Sequence, residues 1–228
     1  YSTNSLSFLA SLSHYSCQEV MLPAGWFIYS SYIETENMDA EIVMSQIEGN
    51  LTILKDNSGH AVLPEWNFNG IGNLDPLSGY QIKVVADDVL QLCGLKLSPE
   101  DNPLNIENGW NLISYLRDQA MDVDSLFSPL VEDGILILIK DYNGSPYLPE
   151  WNFNGIGELM PGQGYQIKIN GNYTYTYPPN NSIATESSFG NYQIGDEAFG
   201  GIIFYVDSSG QHGLVASQQD ISYITDNN

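Results

Sequence analysis

Two runs of alternating aromatic and amide side chains stand out in this chain, Trp66-Asn67-Phe68-Asn69 and Trp151-Asn152-Phe153-Asn154. Indole and phenyl faces can stack on sugar rings, and carboxamides both donate and accept hydrogen bonds, so the chemistry open to these residues is glycan binding. The competing reading is structural. On a strand, alternation sends Trp and Phe to one side and the two Asn to the other. The aromatics would then fill a core gap beside a helix, Pro64 and Pro149 would end a strand, and Gly70, Gly72, Gly155 and Gly157 would permit the loop. The structural role is the expectation here, and exposure of Trp66 and Trp151 is the observation that decides.

Catalysis has no comparable signature. His14, His60 and His212 are scattered, and HExxH, CxxC, GxSxG and a phosphate-binding Gly-Lys loop are all missing. The expectation is a protein that is not an enzyme. Acidic pairs such as Asp87-Asp88 and Asp122/Asp124 are numerous, but none follows a calcium-loop spacing. Calcium is the one cofactor the acidic composition admits, with no ligand residues assigned.

Both aromatic runs belong to the decapeptide LPEWNFNGIG, present at 63–72 and 148–157, a spacing of 85 (148 minus 63). The flanks repeat at the same spacing: Lys55-Asp56 with Lys140-Asp141, Gly59 with Gly144, and GYQIK at 79–83 with 164–168. Upstream the register slips, Gly25-Trp26 answering to Gly109-Trp110 and Met38-Asp39 to Met121-Asp122. Self-similarity with gaps of this kind marks a duplicated module. The expected organisation is an end of a preceding segment at 1–21, repeat 1 at 22–94, a linker at 95–105, repeat 2 at 106–172, a linker at 173–190 and a further domain from 191 to 228. A surface that receives the neighbouring module could receive another molecule, so copies are expected to pack end to end.

Four of the six basic residues are repeat-equivalent, Lys55 with Lys140 and Lys83 with Lys168. Their expected partners are Glu65 and Glu150, or Asp56 and Asp141, in ion pairs worth about 0–1 kcal/mol each if exposed. Cys17 and Cys93 bracket the first repeat only, and neither has a counterpart in the second. Residues that occur together and are missing together suit a disulfide, and with it an oxidising, extracellular compartment.

The 228 residues carry 28 acidic against 6 basic side chains, a formal net charge of −22 and a pI near 4.1. Such a surface repels phosphate backbones and anionic lipid, so nucleic acid and membrane are poor partners. No apolar run of about 18 residues would span a bilayer. The opening YSTNSLSFLASLSHYSC lacks the pattern of a secretory signal, and the chain reads as a segment of something longer.

Each repeat should be a compact, β-rich α+β unit of about four strands and one short helix. GWFIYSSYI (25–33) and GWNLISYL (109–116) carry β-formers, and GILILIKD (134–141) reads as a central strand. Asp122 can cap a helix that buries Val123, Leu126, Phe127 and Leu130, with Pro129 cutting it short. Asn37 or Asp39 can cap its counterpart, with Ile42, Val43 and Ile47 inward. Asp56–Gly59 and Tyr142–Ser145 suit hairpin turns, and Pro161-Gly162 suits a type II turn. Beyond the Tyr/Thr/Pro-rich stretch, Ile202–Val206 and Gly213–Ala216 should form a hairpin.

The run IGD...GGIIFYVD...GQHGLVAS between Ile194 and Ser217 resembles the opening of the Lcl-type, C-type-lectin-like domain of surface and adhesin proteins. The GW/LPEWNFNGIG/GYQIK repeats resemble tandem modules in large secreted surface proteins of marine Bacteroidetes. These resemblances imply a cell-surface or secreted location, and tandem modules serving as stalk or assembly units, in a fibre or an adhesin. Copies of the chain or other surface proteins are the partners implied. The rival is a carbohydrate-binding module using the repeated Trp, Phe and Asn. A more distant alternative is a non-catalytic region attached to an enzyme beyond this segment.

Overall fold

A computed structural model describes residues 15–180, 197–198, 201–206 and 213–217. The chain divides after Asn180 into two compact units, and the first contains both repeats.

Repeat 1 runs β1 (Tyr15–Leu22), β2 (Gly25–Tyr29), β3 (Ile33–Glu34), α1 (Ala40–Met44), β4 (Leu51–Lys55), β5 (Ala61–Leu63), β6 (Phe68–Asn69), β7 (Tyr80–Val84) and β8 (Asp88–Lys96). Repeat 2 runs β9 (Leu104–Ile106), β10 (Gly109–Ile113), β11 (Met121–Asp122), α2 (Val123–Glu132), β12 (Leu136–Lys140), β13 (Pro146–Leu148), β14 (Phe153–Asn154), β15 (Glu158–Leu159), β16 (Tyr165–Ile169) and β17 (Tyr173–Tyr175). The main sheets are antiparallel and ordered alike, β2-β7-β4-β5-β6 and β10-β16-β12-β13-β14. Thus the fold is α+β and β-rich, with five strands in each main sheet. Strand β12 is central, as its apolar sequence predicts, although Ile137 on its outer face is exposed.

The helices start where the sequence predicts. Asp39 accepts hydrogen bonds from the amides of Glu41 and Ile42, and Asp122 from that of Ser125, each meeting helix N–H groups that have no intrahelical acceptor. Val123, Leu126, Phe127 and Leu130 are buried, but α2 continues through Pro129. Proline leaves the Ser125 carbonyl without its amide donor, and the Ser128 hydroxyl supplies one instead (3.3 Å). In α1 the buried face is Ala40, Val43 and Met44, continuing to Ile47 in the following turn, and Ile42 points outward, contrary to its expected place.

Each main sheet lays one face on its helix around a separate hydrophobic core. The terminal strands close each repeat, and they move the expected boundaries. Strand β1 pairs with β8 across Cys17 and Cys93, which form the disulfide, so repeat 1 begins by Tyr15. Strand β17 pairs with β9, and Tyr175 and Tyr177 are buried in the second core, so this part of the Tyr/Thr/Pro stretch is core rather than linker. Buried Arg117 donates to the carbonyls of Pro178 and Pro179, fixing the segment that follows.

The two repeats meet through reciprocal contacts. Gly79 N donates to Leu112 O (3.1 Å) and its equivalent Gly164 N to Ile28 O (2.7 Å); Ser30 N donates to Gly162 O and Ser114 N to Leu77 O. Tyr29 bridges to Gln163, and Ile113 to Ser78. Added Cβ atoms at Gly79 and Gly164 would fall 2.7 Å from Ile113 O and 2.8 Å from the Ile28 side chain, which explains the glycine that opens both GYQIK segments. Each repeat offers the same patch to the other, the pattern of a two-fold, isologous contact. A head-to-tail contact would leave an unfilled copy of its surface at each end. This one leaves none, so end-to-end packing through the repeat–repeat surface does not follow from the duplication.

The second unit holds β18 (Glu197–Ala198), β19 (Gly201–Val206) and β20 (Gly213–Ser217), with β19 and β20 antiparallel as predicted. The predicted turn between them, and part of the Lcl-like stretch, lie outside the described residues.

Candidate functional site

The decapeptide is not a plain strand. Pro64–Trp66 and Pro149–Trp151 each form one turn of 3-10 helix, and Asn67 and Asn152 follow in the left-handed conformation, at φ 47° and 50°. Asn tolerates that region better than most residues. The chain then returns as β6 or β14 to pair with β5 or β13.

Most of the repeated residues have work within the loop. Asn69 Oδ1 accepts from the amides of Ile71 and Gly72, and Asn154 Oδ1 from those of Ile156 and Gly157. The carbonyls of Gly72 and Gly157 in turn accept the first amides of α1 and α2, from Ala40 and Val123. The loop therefore anchors the helix. Gly70 and Gly155 are fixed by contact: a Cβ at either would stand 2.9 or 3.0 Å from the ring of Phe68 or Phe153.

Trp66 and Trp151 have no such work. They are 71% and 73% exposed, the expected core role is overturned, and Phe68 and Phe153 beside them are also exposed. The 3-10 turn followed by a left-handed Asn breaks the alternation that would have aimed these rings inward. Each repeat thus presents an indole and a phenyl ring to solvent at equivalent positions. Asn67 and Asn152 are exposed with them, whereas Asn69 and Asn154 spend their side chains inside the loop; Asn154 also donates to Asp122 and Asp124.

The lysines pair differently from expectation. Lys55 and Lys83 lie over the Trp26 ring, at 4.9 and 5.8 Å from its centroid, and Lys140 and Lys168 lie over Trp110 at 5.4 and 5.6 Å. Register explains this arrangement. Trp26 sits directly opposite Lys83 and Trp110 opposite Lys168, on the outer faces of the sheets. Among the described residues the close contacts between basic and acidic side chains are His60–Asp56 and Lys96–Asp118, so the expected lysine bridges to Glu65, Glu150, Asp56 and Asp141 do not form. The aspartates serve their own turns instead, Asp56 accepting from the Ser58 and His60 amides and Asp141 from that of Ser145. Glu65 and Glu150 stay exposed. The signal was present in the sequence, since Gly-Trp and both lysines recur together.

A groove of about 400 Å³ runs between the repeats, lined by Trp26, Lys55 and Gln81 of one and Lys140, Tyr142 and Gln166 of the other. The Tyr142 ring packs on Phe27 at 4.7 Å, closing one side. Tyr80 and Tyr165, the tyrosines of GYQIK, are buried and take the amides of Asp75 and Met160 on their hydroxyls. Burial pushes Tyr80 up to about 12. Among the described residues no group of three His, Cys, Asp or Glu is placed to hold a metal ion, so calcium gains no site there.

No family model, no curated protein and no solved structure matches the chain.

Proposed function

We propose that this chain is a non-enzymatic, extracellular binding unit of the adhesin kind, whose two repeats each present one aromatic loop to carbohydrate. The observation behind the proposal is the exposure of Trp66 and Trp151 at repeat-equivalent positions where the fold makes no use of them. An exposed indole beside an exposed phenyl ring offers apolar faces for sugar C–H groups, and Asn67 or Asn152 stands between them for hydroxyls. The Cys17–Cys93 disulfide is compatible with an oxidising compartment, and no helix among the described residues is long and apolar enough to cross a membrane.

A stalk or fibre role is the second reading. It draws on the same rings, because exposed aromatics also anchor protein interfaces. A polysaccharide panel read on the purified chain and on the Trp66→Ala/Trp151→Ala variant separates the two. The expected result is retention of at least one polysaccharide by the wild type and its loss in the variant, with thermal stability unchanged. Self-association that the variant abolishes, without glycan retention, would replace the proposal with assembly.

A further inference from the structure

One of the buried positions at which the two repeats differ lies beside the aromatic loop, and in the first repeat it borders a cleft. The cleft, of about 150 Å³, lies between α1 and β5, with Glu41, Met44, Glu48, Val62, Pro64 and Asn67 in its wall. Its floor is apolar, since Met44, Val62 and neighbouring Leu51 are buried, and its rim carries the exposed carboxylates of Glu41 and Glu48.

The second repeat shows what the same space accepts. Val62 corresponds to Tyr147 (62 plus 85), and the strand register agrees: Val62 pairs with Leu54, and Tyr147 with its equivalent Ile139. Glu41 corresponds to Asp124 (41 plus 83), in the first turn of each helix. Tyr147 is 4% exposed, and Asp124 is the carboxylate beside its phenol. Burial, and after it that carboxylate, pushes the phenol up. A phenol therefore spans from strand to helix in repeat 2, where Val62 stops short in repeat 1.

We propose that the cleft of repeat 1 binds a para-substituted phenol supplied from outside, the counterpart of Tyr147, with Glu41 accepting its hydroxyl. A void of this volume holds a single six-membered ring. The buried floor suits the ring's apolar faces, and a carboxylate is a strong acceptor for an O–H donor. Two rim carboxylates also repel anions, which selects the neutral phenol. The ring can come from a small phenol or from a tyrosine side chain of a peptide, and the chemistry is the same for both.

The test is a titration of the full chain, labelled at Met, Leu and Val methyls, with p-cresol and with N-acetyltyrosinamide, read by NMR. Toluene serves as the ring without the hydroxyl. Saturable shifts are expected at Met44, Leu51 and Val62 with p-cresol, at one site per chain. Shifts with the tyrosine amide as well identify a peptide source, and shifts with p-cresol alone a small phenol. Val62→Tyr should fill the cleft and abolish binding, while Tyr147→Val should open a second site beside Leu136 and raise the stoichiometry from one to two. Glu41→Gln should weaken p-cresol about tenfold and leave toluene unaffected, the loss of a charge-assisted bond of about 1.4 kcal/mol. If Tyr147→Val does not fold, Val62→Tyr alone decides. Methyls of the cleft that ignore p-cresol, or a folded Val62→Tyr chain that still binds it, would overturn the proposal.

Discussion

The two repeats share a skeleton down to the same irregularity, a register shift at Leu51/Ile53 in one and at Leu136/Leu138 in the other, yet they are closed by different chemistry. In repeat 1 the terminal strands pair over long stretches, and Cys17–Cys93 bridges them. In repeat 2 the corresponding pair is three residues long and carries an aromatic plug: Tyr175 stacks on Phe127 at 4.9 Å, and Tyr177 meets Tyr115, Phe127 and Tyr175 edge-on. Tyr177 also donates to the buried Ser114 carbonyl at 2.8 Å. Sheet and helix are specified by the repeated residues, whereas closure of the ends is specified separately, by a covalent staple in one copy and by buried rings in the other.

That contrast can be broken from either side. Tyr177→Ala removes a fully buried ring and orphans a buried carbonyl, so a loss of about 3–5 kcal/mol is expected, with hydrogen exchange rising first in repeat 2. Cys17→Ser/Cys93→Ser should cost about 2–4 kcal/mol and loosen repeat 1 first. Equal loosening of both repeats by either change would mean that closure is shared.

Alkali should discriminate in the same direction. Burial pushes Tyr115 up to about 12 and raises Tyr147, Tyr165, Tyr173, Tyr175 and Tyr177 as well, against Tyr29, Tyr32 and Tyr80 in repeat 1. A raised folded-state value means that the native state holds its proton longer than the unfolded chain. The contribution is therefore complete below the ordinary tyrosine value of 10.0 and is lost as pH rises from there through about 12. Stability should fall over that window, and the resonances of repeat 2 should broaden or vanish before those of repeat 1. Simultaneous loss would remove the distinction.

The smallest expected effect concerns the feature both repeats share. Lys55→Gln should cost about 0.5–1 kcal/mol with Trp26 present and nearly nothing in a Trp26→Leu background, the coupling expected of a cation over an exposed ring. Equal costs in both backgrounds would mean that the lysine acts through some other group.

Much of this architecture is legible in the sequence. The duplication and the paired cysteines follow from comparing the two copies, whereas the Asp39 and Asp122 caps and the turn at Pro161-Gly162, where Gly162 adopts φ +87° and Gln163 N returns to Met160 O, rest on short-range rules. Trp66 and Trp151 were not legible, because alternation has meaning only on a strand, and the left-handed Asn67 and Asn152 rotate the rings out. Tyr173–Tyr177 resembles a linker by composition, although its Tyr-Thr-Tyr-Thr-Tyr alternation is the period of a strand. The reciprocal contact between repeats depends on residues tens of positions apart, so no local pattern could reveal it.

The two equivalent aromatic loops are the proposed binding sites. Calorimetric titration of the wild-type chain, Trp66→Ala, Trp151→Ala and the double variant with an oligosaccharide of the retained polysaccharide tests this most directly. The account predicts two sites per wild-type chain, one in each single variant and none in the double, with all four proteins equally folded. Unchanged stoichiometry in the double variant, or a marked loss of stability on removing either indole, would contradict it.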